Sequence, residues 1–536
     1  MIARKSFLII TSQFFTRFLG WIGLVVLAKL WGGFAPEALG IIGFAMAFIA
    51  LFSFIADLGF SQAHIKRLSE GKDLGTCIGT FAAIKIFLIG LMITVVFTAI
   101  FIWKSVLQKG VYDATTESVI IVFVAYYIFI NLRHIAISTF TGRREIAKQE
   151  ITITFENVVK VSLMILIALA GVTTLGMASI FPVGSWPHFL QPLQQFLASH
   201  AVGSLAMTYV FGAIATVFIG MWFLRKYPWK KPSWELFKNY FSFALPIMLI
   251  SLISVISINI DKIMIGYFWT SIEVGYYFTV QQILLILLIL STAVGAVLFP
   301  TLSEYHSFKN FQKIERTTHL AERYISMVMI PPIVVIIVFV NSVINIMLSS
   351  AFLPAAPALI TLTIYAFLIG LGMPYYSLIS GINRPGVAAK IGFAICATNI
   401  VLNYLFIPER GLLSSFGIAG PTGAAVATVL SCLVGFFGLR LAAKKLTGIR
   451  LLQSHTPRHV IAGVVMGIVL YCFNSLIPLV RWYHLLFFAG LGLAVYLIIL
   501  FILKEFKKQD LMFFLDMLHP KEMLSYIKSE LKEKDF

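Results

Sequence analysis

Long apolar stretches follow one another along almost the whole chain. The 536 residues are 59% hydrophobic and 12% charged, with a mean hydropathy of +0.93, whereas soluble domains carry about 25% charged residues. About fourteen stretches are long enough to cross a hydrocarbon core of roughly 30 Å, which takes about 20 apolar residues in a helix. The sequence therefore predicts an all-α polytopic membrane protein.

The charged residues predict the orientation of the chain. A net charge of +18 would indicate nucleic-acid binding in a soluble protein, but here the basic residues gather in alternate short loops, as the positive-inside rule requires. We therefore expect a plasma-membrane protein with both termini in the cytoplasm and with no nucleic-acid partner. Three basic clusters mark the predicted cytoplasmic loops: Lys66, Arg67 and Lys72; Arg143, Arg144 and Lys148; and Arg225, Lys226, Lys230, Lys231 and Lys238. The opposite loops contain few basic residues, which are Lys104, Lys109, Arg410 and Arg481.

The N-terminal segment resembles a signal peptide only superficially. Arg4 and Lys5 precede an apolar run that contains Gln13 and Arg17 and leads into a second span, so we expect an uncleaved first helix.

The four cysteines fall in predicted spans without paired spacing. We therefore predict no disulfide framework, no metal site and no cofactor.

The two halves of the chain share a pattern. Lys29 to Gly33 matches Lys262 to Gly266 at an offset of 233 residues, and Glu70 matches Glu304 at an offset of 234 residues. Because six helices return the chain to the same side, the halves are expected to be parallel, related by an axis along the membrane normal. The sequence thus predicts two six-helix lobes and two added helices, with boundaries at 1–224, 225–445 and 446–504.

Two further segments are expected to lie on the membrane surface. Residues 181–200 carry apolar side chains at helical spacing, typical of a short helix on the outer surface, although an ordinary loop is the alternative. Residues 505–536 alternate lysines with apolar residues. This pattern favours a cytoplasmic amphipathic tail on the anionic inner leaflet.

Four basic residues lie deep inside predicted spans of the first half. Arg17, Lys85, Arg133 and Lys160 are each roughly 12 to 16 Å from the cytoplasmic boundary at 1.5 Å per residue. A charge at this depth costs a few kcal/mol or more and usually faces a cavity on a substrate pathway. An arginine fork and a lysine point charge together suit a pyrophosphate. We therefore interpret the four as a substrate-binding set for an anion.

A structural role for these cations is the alternative. Lys160 can pair with Glu156 one turn earlier, whereas Arg17, Lys85 and Arg133 have no acidic residue within a turn. These three would need a partner on another helix, solvent or a ligand. Pairing between helices or snorkelling would then explain each of them.

The second half offers polar and acidic side chains instead. Its amides can bridge helices or contact sugar hydroxyls, and they are Gln281, Gln282, Asn341, Asn345, Asn399 and Asn403. Asp57, close to Lys66 and Arg67, and Asp261, beside Lys262, are expected to be local pairing or cap groups. The alternative is a coupling-ion site, which needs oxygen ligands and would favour Asn259 with Asp261. Glu156 of the first half and Gln281 complete the candidates for a coupling-ion site or a polar cavity.

Catalysis is poorly supported by the sequence. General acid and base chemistry needs positioned carboxylates, but the predicted outer loops are short and almost uncharged. The sequence contains no GxxxxGK[ST] motif, so direct use of ATP is not indicated. We therefore expect a transporter with no catalytic residue.

Several motifs resemble one family when they are taken in order. They are Ala28 to Gly32 through Glu37 to Gly40, Asp57 to Phe60, Asn259 to Lys262 through Gly275 to Tyr277, Phe299 with Pro300, and Gly423 to Thr428. Together they resemble polysaccharide biosynthesis flippases of the O-antigen type, within the multidrug/oligosaccharidyl-lipid/polysaccharide exporter superfamily. The chain departs from the usual pattern between spans 5 and 6 and from Glu409 to Gly420.

The resemblance implies a fourteen-helix transporter with two lobes and alternating access. Its substrate would be a polyprenyl-pyrophosphate-linked oligosaccharide, carried from the inner to the outer leaflet, and its partners would be membrane lipids and the glycosyltransferases or polymerase of the same pathway. Related peptidoglycan-precursor flippases use cavity arginines in the first helix, and Arg17 is the matching position. The alternatives are a drug or cation antiporter of the same superfamily, a membrane enzyme of polysaccharide assembly and a scaffold.

Overall fold

The computed structural model describes residues 2–106, 114–171, 188–449, 455–476, 481–506 and 510, and this part of the chain contains no β-strand. Seventeen α-helices form it: α1 (Ile2–Trp31), α2 (Ala35–Ser53), α3 (Phe60–Ser69), α4 (Leu74–Phe101), α5 (Ala114–Gly142), α6 (Ile146–Gly171), α7 (Gln191–Ser199), α8 (Ala201–Leu224), α9 (Trp234–Phe268), α10 (Ser271–Ser307), α11 (Phe311–Val338), α12 (Val340–Met347), α13 (Ala356–Gly381), α14 (Pro385–Phe406), α15 (Gly420–Thr447), α16 (His455–Leu476) and α17 (Trp482–Ile502). The predicted all-α membrane class is confirmed.

The number of spans agrees with the sequence estimate. The described residues contain 13 stretches that are long and apolar enough to cross a membrane, and one of them, Ser12–Ala56, has 45 residues. At 1.5 Å per residue such a stretch is about 68 Å long, more than twice the hydrocarbon core of roughly 30 Å. Because a short 3₁₀ turn at Gly32–Phe34 separates α1 from α2, this stretch accounts for two spans. The total is consistent with about fourteen.

The helices pack mainly within each half of the chain. In the first half, α1 packs on α6, and α8 packs on both α5 and α6. In the second half, α13 packs against α10, α11 and α15, while α14 lies on α15. The helix pair α16 and α17 lies against α11. The lobe boundaries and the parallel repeat remain predictions, and this packing is consistent with them.

The two halves meet most closely where α2 crosses α10. A β-carbon on Gly40 would lie 1.6 Å from the carbonyl oxygen of Ser271, and one on Gly275 would lie 1.8 Å from that of Pro36. Gly40 and Gly275 are 235 residues apart, close to the offset of the repeat, and each approaches the other's helix in the same way. Glycine is needed here because a side chain on either helix would force the backbones apart.

The second predicted span is broken near its inner end. After α2, a 3₁₀ turn covers Phe54–Ala56, and then Leu58 and Gly59 adopt positive φ angles of 45° and 83° before α3 begins. Gly59 also packs tightly, since a β-carbon there would lie 2.9 Å from the carbonyl oxygen of Ala244. The break leaves backbone carbonyls without a helical partner inside an apolar region.

The two predicted surface segments are only partly described. Residues 191–199 form α7, with Leu193 and Phe196 exposed, as expected for a short surface helix. Residues 181–187 lie outside the described part of the chain. The predicted amphipathic tail also lies outside it, apart from Glu505, Phe506 and Asp510.

Candidate substrate cavity

A small polar cavity lies between the first-half helices and α10. Its volume is about 270 Å³, and α1, α6 and α10 provide most of its wall. Arg17 and Lys160 supply positive charge, and Asn157 and Gln282 supply amides. This volume is slightly below the roughly 300 to 1,000 Å³ of typical small-molecule sites. The conformation described here therefore has room for a headgroup fragment and not for a whole glycan.

Arg17 is held in the cavity wall by a single backbone contact. Its Nη1 donates to the carbonyl oxygen of Leu285 on α10 at 3.2 Å, and the residue is partly buried. Within the described chain, no carboxylate forms a salt bridge with it. Most of the donors in its fork therefore remain available to a ligand.

Lys160 likewise forms no salt bridge among the described residues, although the Glu156 carboxylate is near enough to interact with its charge. Its Nζ lies 5.1 Å from the centre of the Tyr209 ring, a cation–π contact. The structure corrects the predicted pairing of Lys160 with Glu156, because the Glu156 carboxylate instead pairs with the Arg133 guanidinium. Glu156 also accepts from the Tyr126 hydroxyl at 3.4 Å.

The cavity consequently has two cations, Arg17 and Lys160, that form no salt bridge among the described residues. No aspartate or glutamate of the described residues contributes to its wall, and the nearby Glu156 carboxylate pairs with Arg133 across α5 and α6. A partly buried positive site of this kind attracts an anion more strongly than the same charges would on a surface.

Lys85 and Arg133 lie outside this cavity. The Lys85 side chain is fully buried, and its Nζ donates to Asp57 at 2.5 Å and to the carbonyl oxygen of Ala56 at 3.0 Å. It therefore satisfies the carbonyl that the break after α2 leaves free. The structure brings Arg17 and Lys160 together and places Lys85 and Arg133 against acidic partners. Asp57 also pairs with Lys85 rather than locally with Lys66 or Arg67.

An apolar groove adjoins the cavity. It has a volume of about 740 Å³, lies between α1, α10, α11, α12 and α17, and is lined by apolar and aromatic side chains. Trp21 and Ile286 line both the groove and the cavity. This groove could not be predicted from the sequence, because residues that face a groove and residues that face lipid are equally apolar.

A second polar cluster lies inside the second half, around Asp261. The Asp261 carboxylate accepts from Tyr277 at 2.5 Å, from Asn403 at 2.6 Å and from Thr428 at 3.0 Å. Asn399 extends the cluster by accepting from Asn403 at 3.1 Å. The Oδ1 atom of Asn403 is buried and has no hydrogen-bond partner in the described residues. These oxygens come from four helices, α9, α10, α14 and α15, and are of the type that hard cations prefer.

The other predicted polar residues take no part in this cluster. Asn259 donates to the carbonyl oxygen of Val255 on its own helix at 2.9 Å. Gln281 accepts from Lys262 at 3.0 Å. Asp261 therefore pairs with residues distant in sequence and not with its neighbour Lys262. The cluster includes Asn399 and Asn403, for which the sequence allowed either helix bridging or sugar contact. It also includes Thr428, which was named from the sequence only as the end of the motif Gly423 to Thr428.

The family follows from a comparison with known sequences. The sequence profile described as "Polysaccharide biosynthesis protein" matches residues 2–306, which is more than half of the chain. The chain belongs to this family. The resemblance inferred from the motifs is thereby confirmed.

Relatives and solved structures extend this result. The "Probable low-salt glycan biosynthesis flippase Agl15" of Haloferax volcanii is 27% identical over 267 residues, which cover 50% of this chain and 55% of that protein. The chain thus matches about half the length of this curated relative. "Lipid II flippase MurJ, inward closed conformation" superposes with a TM-score of 0.70 at 17% identity, covering 94% of this chain and 99% of that one.

A drug transporter has a related fold. The "Inward-facing conformation of a multidrug resistance MATE family transporter of the MOP superfamily" superposes with a TM-score of 0.59 at 16% identity, covering 81% of this chain and 95% of that one. At such identities the likeness establishes the fold alone. The contents of the cavity must decide between the two kinds of transporter.

Proposed function

We propose that this protein is a flippase that moves a polyprenyl-pyrophosphate-linked oligosaccharide from the cytoplasmic to the outer leaflet by alternating access. The observation that carries this proposal is the junction of a cavity that contains two cations with a groove whose wall is almost entirely apolar. A substrate that matches both has an anionic headgroup and a long hydrocarbon tail. We infer transport and not catalysis, with the termini in the cytoplasm as the loop charges predict.

The energetics of the tail support this assignment. Moving hydrocarbon from the bilayer into a polar cavity would cost about 0.8 kcal/mol for each CH₂ group. The apolar groove removes this cost, because its wall is as apolar as lipid. The headgroup can therefore enter the cavity while the tail stays in an apolar environment. The name of the Haloferax relative, a probable glycan biosynthesis flippase, agrees with such a substrate.

The contacts between the halves support alternating access. On the predicted outer side, α2 and α10 cross at Gly40 and Gly275. On the predicted inner side, His64 Nδ1 lies 2.9 Å from the Tyr240 hydroxyl, and Arg67 donates to the carbonyl oxygen of Asn239 at 3.1 Å. Both contact zones join first-half to second-half helices on opposite sides of the cavity. Opening one zone while the other stays closed would expose the cavity to one side only.

The proposal predicts that purified protein in liposomes transfers a fluorescent polyprenyl-pyrophosphate-linked oligosaccharide between leaflets. The rate should exceed that of protein-free liposomes, and a lipophilic cationic dye should not be accumulated, since two unpaired cations repel it. The measurement is the accessibility of the label to an impermeant quencher. Dye transport without transfer of the glycolipid would instead establish the antiporter alternative, which the structural likeness to a drug transporter favours.

We further propose that the Asp261 cluster binds the cation that drives transport. Asp261→Asn retains the shape and most hydrogen bonds of the side chain but removes the only acidic group that the described residues place in the cluster. We expect the sodium- or proton-stimulated part of the transfer rate to be lost. Asn259→Ala is the matched control, because among the described residues Asn259 forms a hydrogen bond only with its own helix. Equal cation stimulation in wild type and Asp261→Asn would disprove this site.

A further inference from the structure

Trp21 occupies the boundary between the two compartments of the proposed site. It lines both the charged cavity and the apolar groove. It lies four residues after Arg17, so the two side chains share one face of α1. On the opposite wall, Ile286 also faces both compartments, and it directly follows Leu285, whose carbonyl holds Arg17.

The indole of Trp21 has an unused hydrogen-bond donor. Its Nε1 is shielded from solvent and meets no acceptor among the described residues. A buried indole N–H usually finds a partner, because leaving it unbonded is unfavourable. This donor lies one turn from Arg17, which forms no salt bridge among the described residues. A ligand that is itself an acceptor can satisfy the donor once movement of the lobes opens the boundary between the cavity and the groove.

The ring of Trp21 is also fixed in orientation. It stacks on Phe18 with the ring centres 5.9 Å apart, and Phe18 stacks on Phe14 at 6.1 Å. These residues follow one another at helical spacing along α1. Stacking on one face leaves the edge and the other face of the indole for contacts within the site.

We infer that Trp21 forms a subsite for the prenyl-phosphate end of the substrate, where the headgroup joins the tail. Its N–H donates to an oxygen of the phosphate that bears the lipid, and its ring packs against the first isoprene units at the entrance of the groove. This subsite rests on the proposed function and adds a recognition element to it. Trp21 thereby selects substrates in which an anion is joined to an isoprenoid chain.

The test separates the two contacts by substitution. Trp21→Phe keeps an aromatic ring and removes the donor, whereas Trp21→Leu removes both. Trp222→Phe is the matched control, because Trp222 is 52% exposed and its ring is covered by Arg225 at 3.6 Å. Each full-length variant is placed in liposomes with a pyrophosphate-linked disaccharide that carries either a full-length polyprenyl tail or a geranyl tail.

Wild type should transfer the long-tailed probe faster than the short-tailed one. Trp21→Phe should lower the transfer rate about tenfold for both probes, as expected for a lost hydrogen bond to a charged group. Trp21→Leu should also lose the preference for the long tail, a change that simple destabilisation would not produce. Its folded fraction is checked by size-exclusion chromatography, and if it does not fold, the comparison of Trp21→Phe with Trp222→Phe decides the question.

Two results would overturn the inference. Equal rates in Trp21→Phe and Trp222→Phe would exclude the donor role, and an unchanged tail preference in Trp21→Leu would exclude the contact with the isoprenoid. Neither result would affect the proposed function, because both require that wild type transfers the probe. Failure of wild type to transfer the long-tailed probe would instead contradict the proposed function itself.

Discussion

Replacement of Arg17 by alanine is expected to abolish glycolipid transfer while leaving expression and membrane insertion intact. Arg17 contributes one of the two unpaired charges in the cavity and spends one donor on Leu285. A hydrogen bond to a charged group contributes about 1.5 to 3 kcal/mol, and a bidentate contact with phosphate would involve two of them. Loss of both should lower the transfer rate by on the order of a hundredfold or more. Membrane insertion should not be impaired, because a charged side chain inside the membrane makes insertion less favourable and alanine removes that charge.

The charge-conserving substitution sharpens this test. Arg17→Lys should retain part of the activity, because it keeps the positive charge but loses the planar fork. Lys160→Met should also lower transfer, since Lys160 supplies the second charge. Arg316→Ala is a suitable control, because Arg316 is exposed at the start of α11. Full activity in both Arg17→Ala and Lys160→Met would show that these cations serve the fold, and it would favour the antiporter alternative.

Replacement of Lys85 by methionine is expected to destabilise the protein without a specific defect in transport. The substitution leaves the Ala56 carbonyl and the Asp57 carboxylate without their buried partner. Breaking a buried ion pair costs about 3 to 5 kcal/mol of stability. Because the Asp57 side chain is 30% exposed, we expect a loss of stability near the lower end of this range. Thermal unfolding in detergent measures the loss, and transfer per folded molecule should stay near the wild-type value.

A double substitution isolates the pair. Lys85→Met combined with Asp57→Asn should recover part of the lost stability, because no unpaired charge remains. Lys104→Met is the matched control, since the pair of Lys104 with Glu117 is 58% and 38% exposed and such surface pairs contribute at most about 1 kcal/mol. Normal stability together with impaired transfer in Lys85→Met would contradict this structural role and would indicate that Lys85 binds substrate.

The membrane class and the unusual depth of the cations could be predicted because both depend on local sequence. Arg17 and Lys85 could be recognised equally well as charges inside apolar runs. Their surroundings could not, because the carboxylate that pairs with Lys85 is 28 residues away along the chain. The backbone contact of Arg17 is 268 residues away. Arg17 therefore stays without a carboxylate partner in the cavity, whereas Lys85 binds the backbone carbonyl at the break after α2. The local sequences around the two residues are nevertheless similar, since each is a single cation in an apolar run.

The polar cluster of Asp261 gives the same lesson in the second half. The sequence favoured Lys262 and Asn259 as partners because they are adjacent, but both point to other acceptors. The partners of Asp261 come from α10, α14 and α15. Helical periodicity specifies the face on which a residue lies, but it does not specify which helix packs against that face.

The sequence by itself determined the membrane fold, the approximate number of spans, the family and the residues whose burial needs an explanation. Hydrophobicity and length are properties of single segments, and lipid imposes the same helical solution on each of them. Only the tertiary structure decided which cations are neutralised and which remain free, and only it revealed the groove beside the cavity. In lipid the apolar residues give no driving force that distinguishes one helix partner from another. Pairing and cavities therefore depend on close packing, such as the crossing of Gly40 and Gly275, and on polar contacts between distant residues.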